Sequence, residues 1–140
     1  SRGLGDVYKR QVYSERKRIS MLAKRITDFI SQEVPEAIFS RGEQPGYEGI
    51  VHFTFPGCSG DSILYLLDNA GVSVSTGSAC RAGVAEASHV LIAMGRTEQQ
   101  ARGSVRISLG HSTTEADVDA FITAFPAAYT GAKKAGLPSG

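Results

Sequence analysis

Several features that assign a sequence to a class of protein at once are missing from these 140 residues. The two cysteines, Cys58 and Cys80, form neither a CxxC motif nor a cluster with histidine, so nothing in the sequence predicts a resident metal site. A net charge of +1 gives no electrostatic reason to predict a nucleic-acid or membrane-surface partner. No apolar run approaches the roughly 18 residues that span a bilayer, and neither internal repeats nor low-complexity segments occur.

What is present is the composition of a globular domain. Hydrophobic residues make up 41% of the chain and charged residues 21%, enough to build one buried core. With only two cysteines and no secretory signal, we expect a reducing, cytoplasmic location.

The most informative stretch is the Cys80 segment, residues 75–83, which holds small residues and an arginine but no large apolar side chain. Such a segment cannot bury much surface, so it predicts an exposed, mobile loop. A thiol there favours a role in reactivity, and Arg81 beside it favours the nucleophilic thiolate. A spare cysteine in a turn of small residues is the alternative. The candidate active-site loop leading to Cys80 comprises Ser75, Thr76, Gly77, Ser78 and Ala79.

Two alternating stretches predict strands. Residues 50–55 place Val51, Phe53 and Phe55 on one face, with His52 on the other as a solvated or hydrogen-bonded side chain. Residues 104–110 place Arg106 and Ser108 opposite the core. An arginine held in the middle of a strand suits a carboxylate or a phosphate, although pairing with a surface acid would also explain it.

Helical periodicity and capping residues define the other elements. A core-facing helix begins near Ser14 and ends before Pro35, and another occupies residues 59–69. A third follows the caps Thr113 and Thr114, with Pro126 expected to kink or end it. The remaining predicted elements are short strands at residues 37–40 and 72–75, an exposed connection over 41–49, helices at 88–95 and 97–102, and a frayed tail from 136 to 140. This order favours an α+β fold, a small sheet with helices packed on one face.

Residues 1–11 show neither helical nor strand periodicity. They resemble peptides translated from sequencing-adapter DNA at the end of an assembled contig. We therefore expect residues 1–11 to be a non-native leader and residues 12–140 to form the domain.

Four motifs agree in order and spacing with one family. They are residues 55–62 (FPGCSGDS), 75–80 (STGSAC), 88–91 (SHVL) and 106–115 (RISLGHSTTE). Together they resemble the C-terminal portion of NifS/IscS-type cysteine desulfurases, which are pyridoxal-phosphate enzymes of the aminotransferase-like fold type I. His111 and Ile50 stand where many members carry arginine and asparagine.

The resemblance implies the small C-terminal domain of that fold. It implies that Cys80 receives sulfur from L-cysteine as a persulfide, releasing L-alanine, and that Arg106 binds the substrate α-carboxylate. The persulfide would serve iron–sulfur cluster assembly or tRNA thiolation, and Cys80 could ligate a cluster transiently. Pyridoxal phosphate would be held mainly by a large domain absent from this chain, so no cofactor-binding residue is assigned here.

The family also implies a homodimer when intact, with a sulfur-acceptor or scaffold protein as partner. We expect the chain by itself to be an inactive fragment. Two alternatives remain open. One is a selenocysteine lyase or related pyridoxal-phosphate lyase; the other, from a different class, is a stand-alone thiol sulfur carrier or redox switch that uses Cys80 without a cofactor.

Overall fold

The structure is a computed structural model that describes residues 2–39, 49–72, 75–76, 79–81, 84–86 and 102–136. For residues 75–76, 79–81 and 84–86 it describes the backbone only. Along the described chain the elements are α1 (Arg2–Glu33), β1 (Ile38–Phe39), β2 (Ile50–Thr54), α2 (Gly60–Asn69), β3 (Ser75–Thr76), β4 (Ala79–Arg81), β5 (Val84–Glu86), β6 (Ser104–Ser108) and α3 (Glu115–Ala135).

Four of the strands form an antiparallel sheet in the order β1-β2-β6-β3. Its centre is the pairing of β2 with β6, which runs from Ile50 opposite Ser108 to Thr54 opposite Ser104. Backbone hydrogen bonds continue this pairing beyond both ends, from Leu109 N to Gly49 O and from Phe55 N to Gly103 O. The other two strands, β4 and β5, form a second sheet, which has two strands among the described residues.

The helices cover one face of the sheet, and the core lies between the two layers. Alternation along β2 and β6 buries Val51, Phe53, Val105 and Ile107 on the helix side. From the helices come Leu22, Ile26 and Ile30 of α1, Ile63 and Leu67 of α2, and Val118, Phe121 and Phe125 of α3. The predicted α+β fold with helices packed on one face of a small sheet is confirmed.

Helix α3 begins as the sequence predicts. The Thr114 side chain accepts a hydrogen bond from Asp117 N, and the Asp117 carboxylate accepts one from Thr114 N, which completes a capping box. The helix then continues through Pro126 to Ala135. It tolerates the proline because Phe121, Phe125, Ala128 and Ala132 all bury against the core.

Helix α1 corrects the predicted start of the first helix. It begins at Arg2 rather than near Ser14, so residues 2–11 are helical. Residues 3–11 are all exposed, and the first buried side chain is Leu22. A helical segment that buries none of its faces does not need apolar residues at a spacing of three or four. The pattern of apolar residues therefore did not predict a helix here.

The Cys80 segment corrects a second prediction. It contains two short strands, β3 and β4, where a loop without regular structure was expected. β3 forms by pairing with the distant strand β6, and β4 forms by pairing with β5. The small side chains of this segment show no alternation of polar and apolar residues that would predict these pairings. Of the strand predicted at residues 72–75, Ser75 lies in β3 and Val72 lies in no strand, while residues 73 and 74 are outside the described residues.

Some predictions fall outside the described residues. These are the connection over 41–49, the helices at 88–95 and 97–102, and the tail from 136, of which only Gly49, Arg102 and Gly136 are described. Within the described ranges, no helix is both long and apolar enough to cross a membrane.

Cys58 belongs to the core, in agreement with a structural role. It is fully buried just before α2, and its backbone N–H donates to the carbonyl of Phe55. Burial raises the pKa of its thiol, against the smaller opposing effect of the Lys133 ammonium. Nearby, the Tyr129 hydroxyl and Lys133 Nζ both donate to Glu36 Oε1, at 2.8 and 3.3 Å, joining α3 to the turn after α1.

Gly60→Ala should destabilise the fold. A Cβ atom at Gly60 would overlap the carbonyl oxygen of Ser104, so α2 would have to move away from β6. We expect a loss of about 1–3 kcal/mol in the free energy of unfolding, measured by urea denaturation. Gly110→Ala is the matched control, because a Cβ there meets nothing within 4 Å. Equal stability of the Gly60→Ala variant and the wild type would contradict the close approach.

Cys58 should be unreactive in the folded protein. In a Cys80→Ser variant, the remaining thiol should react with a disulfide reagent on the order of a hundredfold or more slower in buffer than in urea, because reaction requires local opening. The raised pKa adds to this protection, since less thiolate forms at neutral pH. Release of the reagent's chromophore measures both rates. Equally fast labelling in buffer would contradict the burial of Cys58.

Candidate functional site

The candidate site lies on the face of the sheet opposite α1, α2 and α3. Arg106 is in the middle of β6, and its side chain is exposed on this outer face, as is that of Ser108. His52 of β2 is directly opposite Arg106, and its side chain is half-buried. The prediction that Arg106, Ser108 and His52 face away from the core is therefore confirmed.

On its other side Arg106 is paired with Ser75, the first residue of β3. The Cys80 segment therefore starts on the strand next to Arg106. Thr76 continues that pairing opposite Val105, and the chain then reaches β4, in which Cys80 lies opposite Ala85. Gly77 and Ser78 lie outside the described residues, and of Ser75, Thr76, Ala79 and Cys80 only the backbone is described. The role of Cys80 stays a prediction.

The next pair on the face of Arg106 and His52 consists of two hydroxyl side chains, which were not among the predicted site residues. Thr54 Oγ1 and Ser104 Oγ are 3.2 Å apart, and both residues are fully buried. Strand alternation could have found them, because it puts both residues on the polar face. Their hydrogen bond satisfies two buried hydroxyls and ties β2 to β6 beside the candidate site.

Arg18 of α1 forms hydrogen bonds with the turn after β6. This contact was not predicted from the sequence. Arg18 donates to the carbonyl oxygens of Thr113 and His111, at 2.6 and 3.0 Å. It also pairs with Glu15, whose carboxylate lies 3.2 Å from His111 Nδ1. The Arg18 hydrogen bond lowers the pKa of Glu15, and Glu15 in turn raises the pKa of Arg18. No local pattern marks a contact between residues 95 positions apart.

The described residues do not make a complete site for pyridoxal phosphate. Such a site needs a lysine amine for the Schiff base, and the lysines of this chain all lie on α1 and α3. Lys24 pairs with Asp28 at 2.7 Å and Lys133 with Glu36 at 3.3 Å, away from the outer sheet face. Among the described residues, no group of three or more histidine, cysteine, aspartate or glutamate side chains is arranged to hold a metal ion.

Known proteins share both the sequence and the fold. An IscS-like cysteine desulfurase of Mycobacterium tuberculosis is 47% identical over 121 residues, which cover 86% of this chain and 31% of that protein. The cysteine desulfurase IscS of Pseudoalteromonas translucida is 34% identical, with 84% and 29% covered. A NifS-like protein from Rickettsia africae superposes with a TM-score of 0.70 at 27% identity, over 84% of this chain and 29% of that one.

This chain thus spans less than a third of the length of these relatives. The resemblance to NifS/IscS-type proteins is confirmed by relatives of that name and by the shared fold. The profile of the family described as aminotransferase class V matches residues 9–121. The chain belongs to the aminotransferase class V family.

Proposed function

We propose that this chain is the C-terminal part of a cysteine desulfurase. The observation that carries the proposal is the pairing of Ser75 with Arg106, because it brings the start of the Cys80 segment beside an exposed arginine. Relatives that bear the name cysteine desulfurase, with up to 47% identity, support the same conclusion.

In the proposed reaction Arg106 binds the α-carboxylate of L-cysteine. Its guanidinium carries a permanent charge and donors arranged in a fork, which match the two oxygens of a carboxylate. The carbon–sulfur bond of the substrate breaks, and the sulfur passes to Sγ of Cys80 as a persulfide. The carbon skeleton takes up a proton and leaves as L-alanine, so atoms and electrons balance.

Pyridoxal phosphate is the cofactor we propose for the intact protein. Because the lysines here lie on α1 and α3, residues outside this chain would supply the Schiff-base amine and most cofactor contacts. We propose residues 12–140 as the small domain of that protein. The separate chain would then be inactive.

The persulfide sulfur would pass to an acceptor protein for iron–sulfur cluster assembly or tRNA thiolation. A thiol that must meet first a substrate and then an acceptor needs a segment that is anchored but can still move. The pairing of β3 with β6 provides such an anchor. We further propose a homodimer working in the cytoplasm.

Cys80→Ala in the intact protein should abolish the transfer of sulfur from L-cysteine while leaving the absorbance of the bound cofactor in place. The reason is that the variant keeps the cofactor contacts but lacks the atom that receives the sulfur. Persulfide labelling and alanine release measure the two sides of the reaction. The Cys58→Ala variant is the control and should retain activity, because Cys58 is buried in the core. Undiminished sulfur transfer by Cys80→Ala would overturn the role of Cys80.

Faster turnover of selenocysteine than of cysteine by the wild type would favour a selenocysteine lyase.

Arg106→Ala should raise the KM for L-cysteine by about ten- to a hundredfold with a smaller change in kcat, because a charge-assisted contact to the substrate is lost. Steady-state alanine release measures both constants. Ser108→Ala, on the same strand and face, is the matched control. A lowered kcat with an unchanged KM would contradict carboxylate binding by Arg106.

A further inference from the structure

We propose that His52 is a positioning residue, which holds the guanidinium of Arg106 in place for the substrate carboxylate. This inference rests on the proposed function, because it takes the ligand of Arg106 to be the α-carboxylate of cysteine. It assigns His52 to the proposed reaction without any contact between His52 and the substrate.

The register of the sheet places the two side chains together. His52 and Arg106 are directly opposite each other in the antiparallel pair of β2 and β6. Residues so paired point to the same face, with Cβ atoms about 4.5–5.5 Å apart. Both lie on the outer face, since their neighbours Val51, Phe53, Val105 and Ile107 are buried on the helix side.

The two side chains differ in burial. A positioning residue should be more buried than the residue that binds the ligand, and this is the case here. The His52 side chain is half-buried, and its Nε2 atom is shielded from solvent. Arg106 is exposed. The imidazole therefore belongs to the fixed surface of the sheet, while the longer arginine extends beyond it toward a ligand.

A fixed planar ring restricts an adjacent arginine. A guanidinium stacks on flat aromatic surfaces, so a ring held beside it favours few of the many arginine rotamers. Of the two residues paired directly with Arg106, His52 and Ser75, only His52 has a ring. An arginine ordered before binding loses less conformational freedom when the carboxylate arrives, and this raises affinity.

The decisive test is a double-mutant cycle in the intact protein. His52→Ala should raise the KM for L-cysteine, and the dissociation constant of L-alanine measured by calorimetry, by about two- to tenfold with kcat unchanged. If His52 acts through Arg106, the same substitution should have no further effect on L-alanine binding in the Arg106→Ala background. Additive effects, or an unchanged KM in His52→Ala, would overturn the inference.

Two further substitutions separate positioning from general stability. His52→Phe keeps a planar ring and should bind L-alanine within about twofold of the wild type, whereas His52→Gln lacks the ring and should resemble His52→Ala. Ile50→Ala, on the same face and also half-buried, controls for strand packing and should leave the KM unchanged. Equal affinity of the Phe and Gln variants would also overturn the inference. If the wild type neither binds L-alanine nor turns over L-cysteine, the proposed function itself is refuted. If the wild type is active and substitutions of His52 leave the KM unchanged, only the inference about His52 is refuted.

Discussion

The fold is built around the antiparallel pairing of β2 with β6. These two strands are separated by about fifty residues of chain, and their register is fixed from Ile50 opposite Ser108 to Thr54 opposite Ser104. A shift of β6 by one residue against β2 would turn Val105 outward and Arg106 inward. One pairing therefore decides both where the core lies and where the candidate site lies.

Packing against the helices raises the free energy of any other register of β2 and β6. At the interface between sheet and helices, the rings of Phe53 and Phe55 stack with centroids 6.0 Å apart, and Phe55 packs against the tilted ring of Phe125 at 5.6 Å. On the polar face, the buried hydroxyls of Thr54 and Ser104 satisfy each other only in the observed register. Apolar packing on one face and a buried hydrogen bond on the other therefore select the same alignment.

A second constraint acts on the turn between β6 and α3. Arg18 binds two carbonyl oxygens of this turn, so the end of β6 is fastened to α1 as well as to β2. Strand β6, which carries Arg106, is thus held by β2 along its length and by Arg18 in the turn that follows it. A rigid strand suits an arginine that must present its guanidinium in one geometry.

Most regular elements could be predicted because their signal is local. The stripe of Leu22, Ile26 and Ile30, the cap at Thr114 and the alternation around Phe53 and Arg106 all follow from burial of one face of a helix or strand. The extension of α1 to Arg2 was missed because its first turns bury nothing. The short strands β3 and β4 were missed because they exist only through partners elsewhere in the chain.

The fold class, the outward face of Arg106 and the family motifs can be predicted from the sequence alone, since each depends on residue type and spacing. The strand neighbours of Arg106, in contrast, follow from the packing of the folded chain. His52 and Ser75 lie 54 and 31 positions before Arg106, and strand register alone makes them its neighbours. Register comes from the packing of the whole sheet against its helices, so no single segment of the chain encodes it.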